Sequence, residues 1–352
     1  MSRRLRRPAA LLALACTLLP VAACSNTAST PPSHTSATAS SPARAQPAPA
    51  LSRTQARTVL THYSKINNKA GAALDATLLD TVEDGPQLAM TRSWYTQERA
   101  LPELQRTPYI PWSYDADTAR YFIPRLPAGR QRWFAAQVFS GTATEQSRLL
   151  VVAERPRTHA WELVEVVDLA DATALKVAED RDGYATAVDA TSSARLAAPV
   201  SLLRTAVLDN VVTGGANTGH QVFASTPAIR KFLAARKKTL LKYGPQGTVA
   251  FAPATTTSPQ SYALKMADGS VLVAFAHRHT QTDTVTRAGL GITPAPEDRA
   301  WLGTNSQYTS ITYTFTCADA ALVPSTSRQA NLLGSHCART DAEGTPASRR
   351  AA

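Results

Sequence analysis

Cysteine is scarce in this chain of 352 residues: four in all, at positions 16, 24, 317 and 337. So few exclude a disulfide-dense miniature scaffold, and two cysteines such as Cys317 and Cys337, without a second pair, make a poor zinc site. Long apolar runs are missing too. Beyond residue 24 no stretch approaches the ~18 consecutive apolar residues that a membrane-spanning helix needs. Signature motifs are equally thin. There is no Gly-x-Ser-x-Gly elbow, no His-Glu-x-x-His helix and no Gly-x-x-x-x-Gly-Lys loop, and Ser64-Lys65 and Ser147-Arg148 lack the spacing of a Ser–Lys pair. Gly214-Gly215 follows a helical stripe, whereas a phosphate loop precedes one. No bound cofactor and no metal is expected on these grounds, and no motif points to nucleic acid.

What is present begins at the N-terminus. Arg3, Arg4, Arg6 and Arg7 form a basic region free of acids, and Ala9 to Leu19 is apolar apart from Thr17. Val21-Ala22-Ala23-Cys24 follows, with small residues suited to a signal-peptidase subsite. This run resembles the lipobox of bacterial lipoproteins. The resemblance implies cleavage before Cys24, a signal peptide over 1–23, and lipid on the Cys24 thiol. More than one acyl chain holds a protein stably at a bilayer, at about 0.8 kcal/mol per buried CH₂. The expected location is therefore the outer face of the cytoplasmic membrane, with the membrane itself as a partner through the anchor. Ser2-Arg3-Arg4 has a twin-arginine look, but Arg6 and Arg7 stand where apolar residues belong, so Sec export is expected.

Export sorts the cysteines. Cys16 leaves with the signal peptide and Cys24 carries lipid, which leaves Cys317 and Cys337 in an oxidising compartment, where a disulfide is expected. The alternative is a metal pair with His336 or His279. The formal charge of +11 drops to +7 once the four arginines before Cys24 are removed. A basic surface outside the membrane is drawn to anionic headgroups and wall polymers. Ser25 to Ala50, rich in Ser, Thr, Ala and Pro, lacks large apolar residues and is expected to be a disordered tether over 24–50. The segment 339–352 is expected to be a disordered tail.

The remainder divides into two α+β halves, each opening on helices and continuing as an antiparallel sheet. In the first, 51–175, Ser52-Arg53-Thr54-Gln55 reads as a capping box. Ala56, Val59, Leu60, Tyr63 and Ile66 then make one helical face. Asn67-Asn68 weakens that helix, Glu83-Asp84-Gly85-Pro86 reads as a turn, and strands are expected over 130–139, 149–153 and 161–167. The connection from about Asp168 to Ala197 is the expected boundary. In the second, 190–338, Leu202, Leu203, Ala206, Val207 and Val211 form a stripe. Thr226-Pro227 opens another helix, with Ile229, Phe232, Leu233, Leu240 and Leu241 on its buried side. Strands follow over 248–252, 261–266, 271–277 and 310–315, with a hairpin at Asp268-Gly269. Tandem helix-plus-curved-sheet units of this order and length resemble nuclear-transport-factor-2-like or cystatin-like folds. From 51 to 338, around Tyr63-Ser64-Lys65-Ile66-Asn67-Asn68-Lys69-Ala70 and Glu83-Asp84-Gly85, the chain also resembles uncharacterised actinobacterial lipoproteins with a domain of unknown function. That resemblance implies a location and a fold but no catalytic residues.

Three features bear on chemistry. Arg230, Lys231, Arg236, Lys237, Lys238 and Lys242 share the outer face of the 226–243 helix and suit an anionic lipid or wall ligand. His277 and His279 point to one side of a strand. With Asp283 they offer a metal site, against the plainer reading of a solvent-facing pair on an edge strand. Tyr63, His62, Asp75 and Glu83 approach the cavity that a cone-shaped fold encloses, where small enzymes keep an Asp–His or Tyr–Asp pair. No catalytic residue is assigned. The expected function is a non-enzymatic binding or assembly module of the cell envelope, holding an envelope protein or an anionic ligand; a small-pocket enzyme is the alternative.

Overall fold

Ser52 starts the first helix as its sequence requires: its hydroxyl accepts from the Gln55 amide, and the Gln55 side chain accepts from the Ser52 amide. The computed structural model describes residues 47–139, 147–171, 173–192, 196–304, 307–325 and 328–347. The expected signal peptide over 1–23 and Cys24 lie outside them. A two-residue strand, β1 (Ala48–Pro49), precedes α1 (Arg53–Ala73), α2 (Ala76–Leu79) and α3 (Gly85–Ala100). The expected turn at 83–86 is the start of α3, with Asp84 as its cap, Gly85 at positive φ and Pro86 in the first turn.

Then come β2 (Arg120–Phe122), β3 (Pro124–Leu126), β4 (Trp133–Phe139), β5 (Ser147–Glu154), β6 (Trp161–Leu169) and β7 (Ala185–Thr186). The second half holds α4 (Val200–Val212), α5 (Gly219–Val222), α6 (Pro227–Leu240), β8 (Gly247–Ala254), β9 (Ser261–Lys265) and β10 (Val271–Val285). It closes with α7 (Arg299–Leu302), β11 (Tyr308–Val323) and β12 (Asn331–Pro346). All the expected strands are there, and β10 and β11 run far longer than their apolar cores suggest.

The fold is α+β, but not two bodies in tandem. Strands from both expected halves line up in one sheet, β2-β4-β5-β6-β12-β11-β10-β8, with β9 also on β10, and the described residues form one unit. One core cluster takes Phe134 and Val151 from the first half and Leu264, Leu272 and Ala320 from the second. The 168–197 connection does not separate one core from another, because it pairs with both halves: Ala185 opposite Pro124 and Ala187 opposite Leu264. β6 and β12 meet where Gly334 lies opposite Leu169. A Cβ at Gly334 would stand 2.0 Å from the Asp168 carbonyl oxygen, so only glycine permits this approach.

Two expectations of disorder fail at their edges. Residues 339–346 belong to β12, because the Thr-rich end of β11 offers them a ladder: Thr316 and Thr340 hydroxyls meet at 3.0 Å. Ala48 and Pro49 pair with β3 as an edge strand, where proline's missing donor costs nothing.

Helices lie on both faces of the sheet. Along β10, Leu272 and Ala274 join the core cluster that takes Leu60 and Tyr63 of α1, while Val271, Val273 and Phe275 join Leu203, Ala206 and Val207 of α4. α6 opens at Thr226, whose hydroxyl accepts from the Ile229 amide. It is shallowly packed: Ile229 is buried, Phe232, Leu233 and Leu240 are half-buried, and Leu241 is exposed.

Candidate functional site

Tyr63 belongs to the buried stripe of α1, and Glu83 follows α2 with its backbone tied to β6 through the Glu83–Leu163 bridge. Their side chains meet: the Tyr63 hydroxyl donates to Glu83 Oε1 at 2.8 Å. Burial pushes the Glu83 carboxyl up to about 7, against the polar groups of Thr91, Tyr63 and Gln87 beside it, which favour the anion. Burial, then the Glu83 charge, holds the Tyr63 phenol well above its usual range. Glu83 Oε2 and Gln87 Oε1 are buried without a hydrogen-bond partner.

These groups floor a cavity of about 150 Å³ whose other walls are Asn67, Gly71, Thr91, Trp94, Tyr109 and Trp112. Gly71 is there because a Cβ would lie 2.5 Å from Tyr109 Cε2. Asn68 clamps the loop that carries the aromatics: its Oδ1 accepts from the Tyr109 hydroxyl and the Trp112 amide, and its Nδ2 donates to the Trp112 carbonyl. Of the lining aromatics, Trp94 and Trp112 are each 37% exposed. Of the four residues expected near such a cavity, Tyr63 and Glu83 arrive. His62 faces solvent, and Asp75 caps α2. The sequence does hold a cue to the loop: Tyr109, Trp112 and Tyr114 stand within six residues of a proline-bearing, aperiodic stretch.

His277 and His279 do share a face, but it is a buried one, because β10 is flanked by β11 on one side and by β8 and β9 on the other. His277 is 1% exposed, and its Nδ1 lies 2.5 Å from Asp319 Oδ2. Its Nε2 and Asp319 Oδ1 have no partner. His279 stacks on Phe315 at 5.0 Å and on His277 at 5.4 Å, and burial lowers its pKa to about 3, so it is neutral. On β6, burial and the Asp319 charge push buried Glu165 up to about 8. Cys317 and Cys337 form the expected disulfide, bridging β11 and β12 across directly paired positions. Asp283 is no metal ligand here: it accepts from Lys242 Nζ, the Tyr243 hydroxyl and Gln281 Nε2.

The basic helix is less free than its sequence suggests. Arg236 donates to the Val211 and Val212 carbonyls and so caps the end of α4. Lys242 is paired with Asp283, and Arg230 donates to the Ser225 carbonyl. Lys231, Lys237 and Lys238 remain outward.

Residues 47–344 match a family model described as a domain of unknown function, DUF8094. An uncharacterized lipoprotein of Streptomyces coelicolor is 52% identical over 299 residues, covering 85% of this chain and 84% of the relative. A second from the same organism is 26% identical over 287 residues, covering 81% and 84%. An uncharacterized lipoprotein of Streptomyces avermitilis is 26% identical over 277 residues, covering 78% and 80%. No solved structure matches, so the likeness to nuclear-transport-factor-2-like folds is not confirmed.

Proposed function

The chain belongs to the DUF8094 family, and we propose that it is a lipoprotein anchored through Cys24 on the outer face of the cytoplasmic membrane, where its aromatic pocket binds a small ligand without breaking bonds. The relatives' names and the lipobox-like run at Val21–Cys24 support the anchor. The observation that carries the binding role is Glu83: a buried carboxyl raised to about 7, one oxygen unpartnered, at the floor of a pocket walled by Trp94, Tyr109 and Trp112. A lone buried acceptor calls for a donor, and aromatic faces attract a cation. An ammonium head group satisfies both, and about 150 Å³ holds a head group of that size. Outward Lys231, Lys237 and Lys238 add attraction to anionic headgroups, at about 1 kcal/mol per charge near the surface.

The ammonium must meet Glu83 as a carboxylate. Affinity therefore rises as pH climbs through 7 while the amine stays charged. Tryptophan fluorescence of the purified chain, titrated with ethanolamine and with a neutral polyol of equal size, tests this. The amine is expected to bind, more tightly at pH 8 than at pH 6, and Glu83→Gln is expected to weaken it about tenfold or more, as loss of a hydrogen bond to a charged group implies. Equal binding of the polyol, unchanged in Glu83→Gln, would sink the reading.

A further inference from the structure

The disulfide closes a second group of side chains that the pocket does not use. His277 on β10 lies directly opposite Cys317 on β11, which lies directly opposite Cys337 on β12. Three neighbouring strands thus set His, Cys and Cys in one row on one face. A ring nitrogen of His277 and both sulfur atoms fall within 4.8 Å of one another. His279 adds Nδ1 at 4.0 Å from the Cys317 sulfur. Asp319 holds His277 Nδ1, which leaves Nε2, buried and without a partner, as the free lone pair. A carboxylate behind an imidazole is the arrangement that orients a metal-bound histidine.

We propose that reduction of Cys317–Cys337 opens a tetrahedral site for a soft cation of the zinc or copper(I) kind, ligated by both thiolates, His277 Nε2 and His279. Closed, the sulfurs are spent on each other and the site is latent. A dithiol reductant supplies two electrons and two protons: the S–S bond breaks, two thiols form, and the reductant leaves as its own disulfide. The cation then displaces the two thiol protons. Metal–sulfur bonds of ~2.3 Å in a tetrahedron set the sulfurs ~3.8 Å apart, a spacing that directly paired cross-strand side chains reach without backbone movement. Cys337 is exposed while Cys317, His277 and His279 are buried, so reductant and metal arrive from the Cys337 side. His336, the sequence neighbour of Cys337, is excluded: it faces the opposite side of β12 and holds Asp168 at 2.9 Å.

Cobalt(II), a spectroscopic substitute for zinc, tests this on the purified chain, oxidised and after treatment with a phosphine reductant. The phosphine becomes its oxide by taking oxygen from a water, whose protons go to the thiols. The reduced chain is expected to bind one equivalent of cobalt with thiolate-to-metal charge-transfer absorption, discharged by added zinc, and zinc is expected to raise the melting temperature of the reduced chain alone. His277→Gln, checked by circular dichroism for retained fold, should weaken cobalt binding at least tenfold. Cys317→Ser/Cys337→Ser should abolish the charge-transfer bands. Absence of those bands in the reduced chain, or an unchanged spectrum in His277→Gln, overturns the proposal. The readout involves neither Glu83 nor any amine, so its failure leaves the pocket reading standing, and the reverse holds as well.

Discussion

Glu165 is a carboxyl stranded in the sheet, with one oxygen unpartnered and the Asp319 charge nearby. A carboxyl whose folded pKa is raised stabilises the fold fully below its ordinary pKa, and that contribution is lost as pH rises through the folded value. For Glu165 the loss runs from about 4.5 up to about 8, and Glu83 follows the same course up to about 7. Asp168, lowered to about 2 by His336 foremost, acts only in acid, and His279, lowered to about 3, opposes the loss only below its ordinary value of 6.5. The chain is therefore expected to lose stability between pH 5 and pH 8 in urea denaturation. Glu165→Gln is expected to lose less, by about 1–3 kcal/mol at ~1.4 kcal/mol per unit of pKa; parallel profiles for the two chains would refute the assignment. Little of this is legible in sequence. Glu165 alternates with valines in a strand, and nothing in Trp-Glu-Leu-Val-Glu-Val-Val says that both faces will be covered. The burial of His277 is hidden for the same reason: whether a strand is central or at an edge depends on partners far away in the chain.

At the scale of elements, Gly334 is the residue on which the junction of β6 and β12 turns. Gly334→Ala forces a methyl against the Asp168 carbonyl and is expected to cost about 2–3 kcal/mol, in the range of overpacked sites. Hydrogen exchange should speed at Ala170, whose amide donates to the Leu333 carbonyl beside the junction. A variant as stable as the parent, with unchanged exchange there, would mean that the backbone approach is not needed. Helix starts are legible because capping is local: Ser52 with Gln55, and Thr226 with Pro227. β12 is not, because Ser335, Arg339, Thr340 and Asp341 carry no apolar alternation and become a strand only when β11 presents its ladder. The six cations on and just after α6 are legible as charges but not as duties, since the carbonyls that Arg236 caps belong to another helix.

For the molecule as a whole, the proposed anchor sets where the two proposed sites work. Mass spectrometry of the mature N-terminus is expected to find lipid on Cys24, and Cys24→Ser to release the chain from the membrane fraction. A Cys24→Ser chain still held there would refute the anchor. The α+β class follows from the order of helices and strands, whereas the merging of two halves into one sheet does not, since a polar connection reads the same whether it links bodies or threads between them.

That narrow junction has a consequence for how the chain reaches its native state. Each flank is a meander of sequence neighbours, β4-β5-β6 and β10-β11-β12, able to pair before the two flanks meet. Zipping Gly334 to Leu169 demands closure of a very long loop. The two meanders would form first and dock last, and the docking would wait on the smallest side chain in the alphabet.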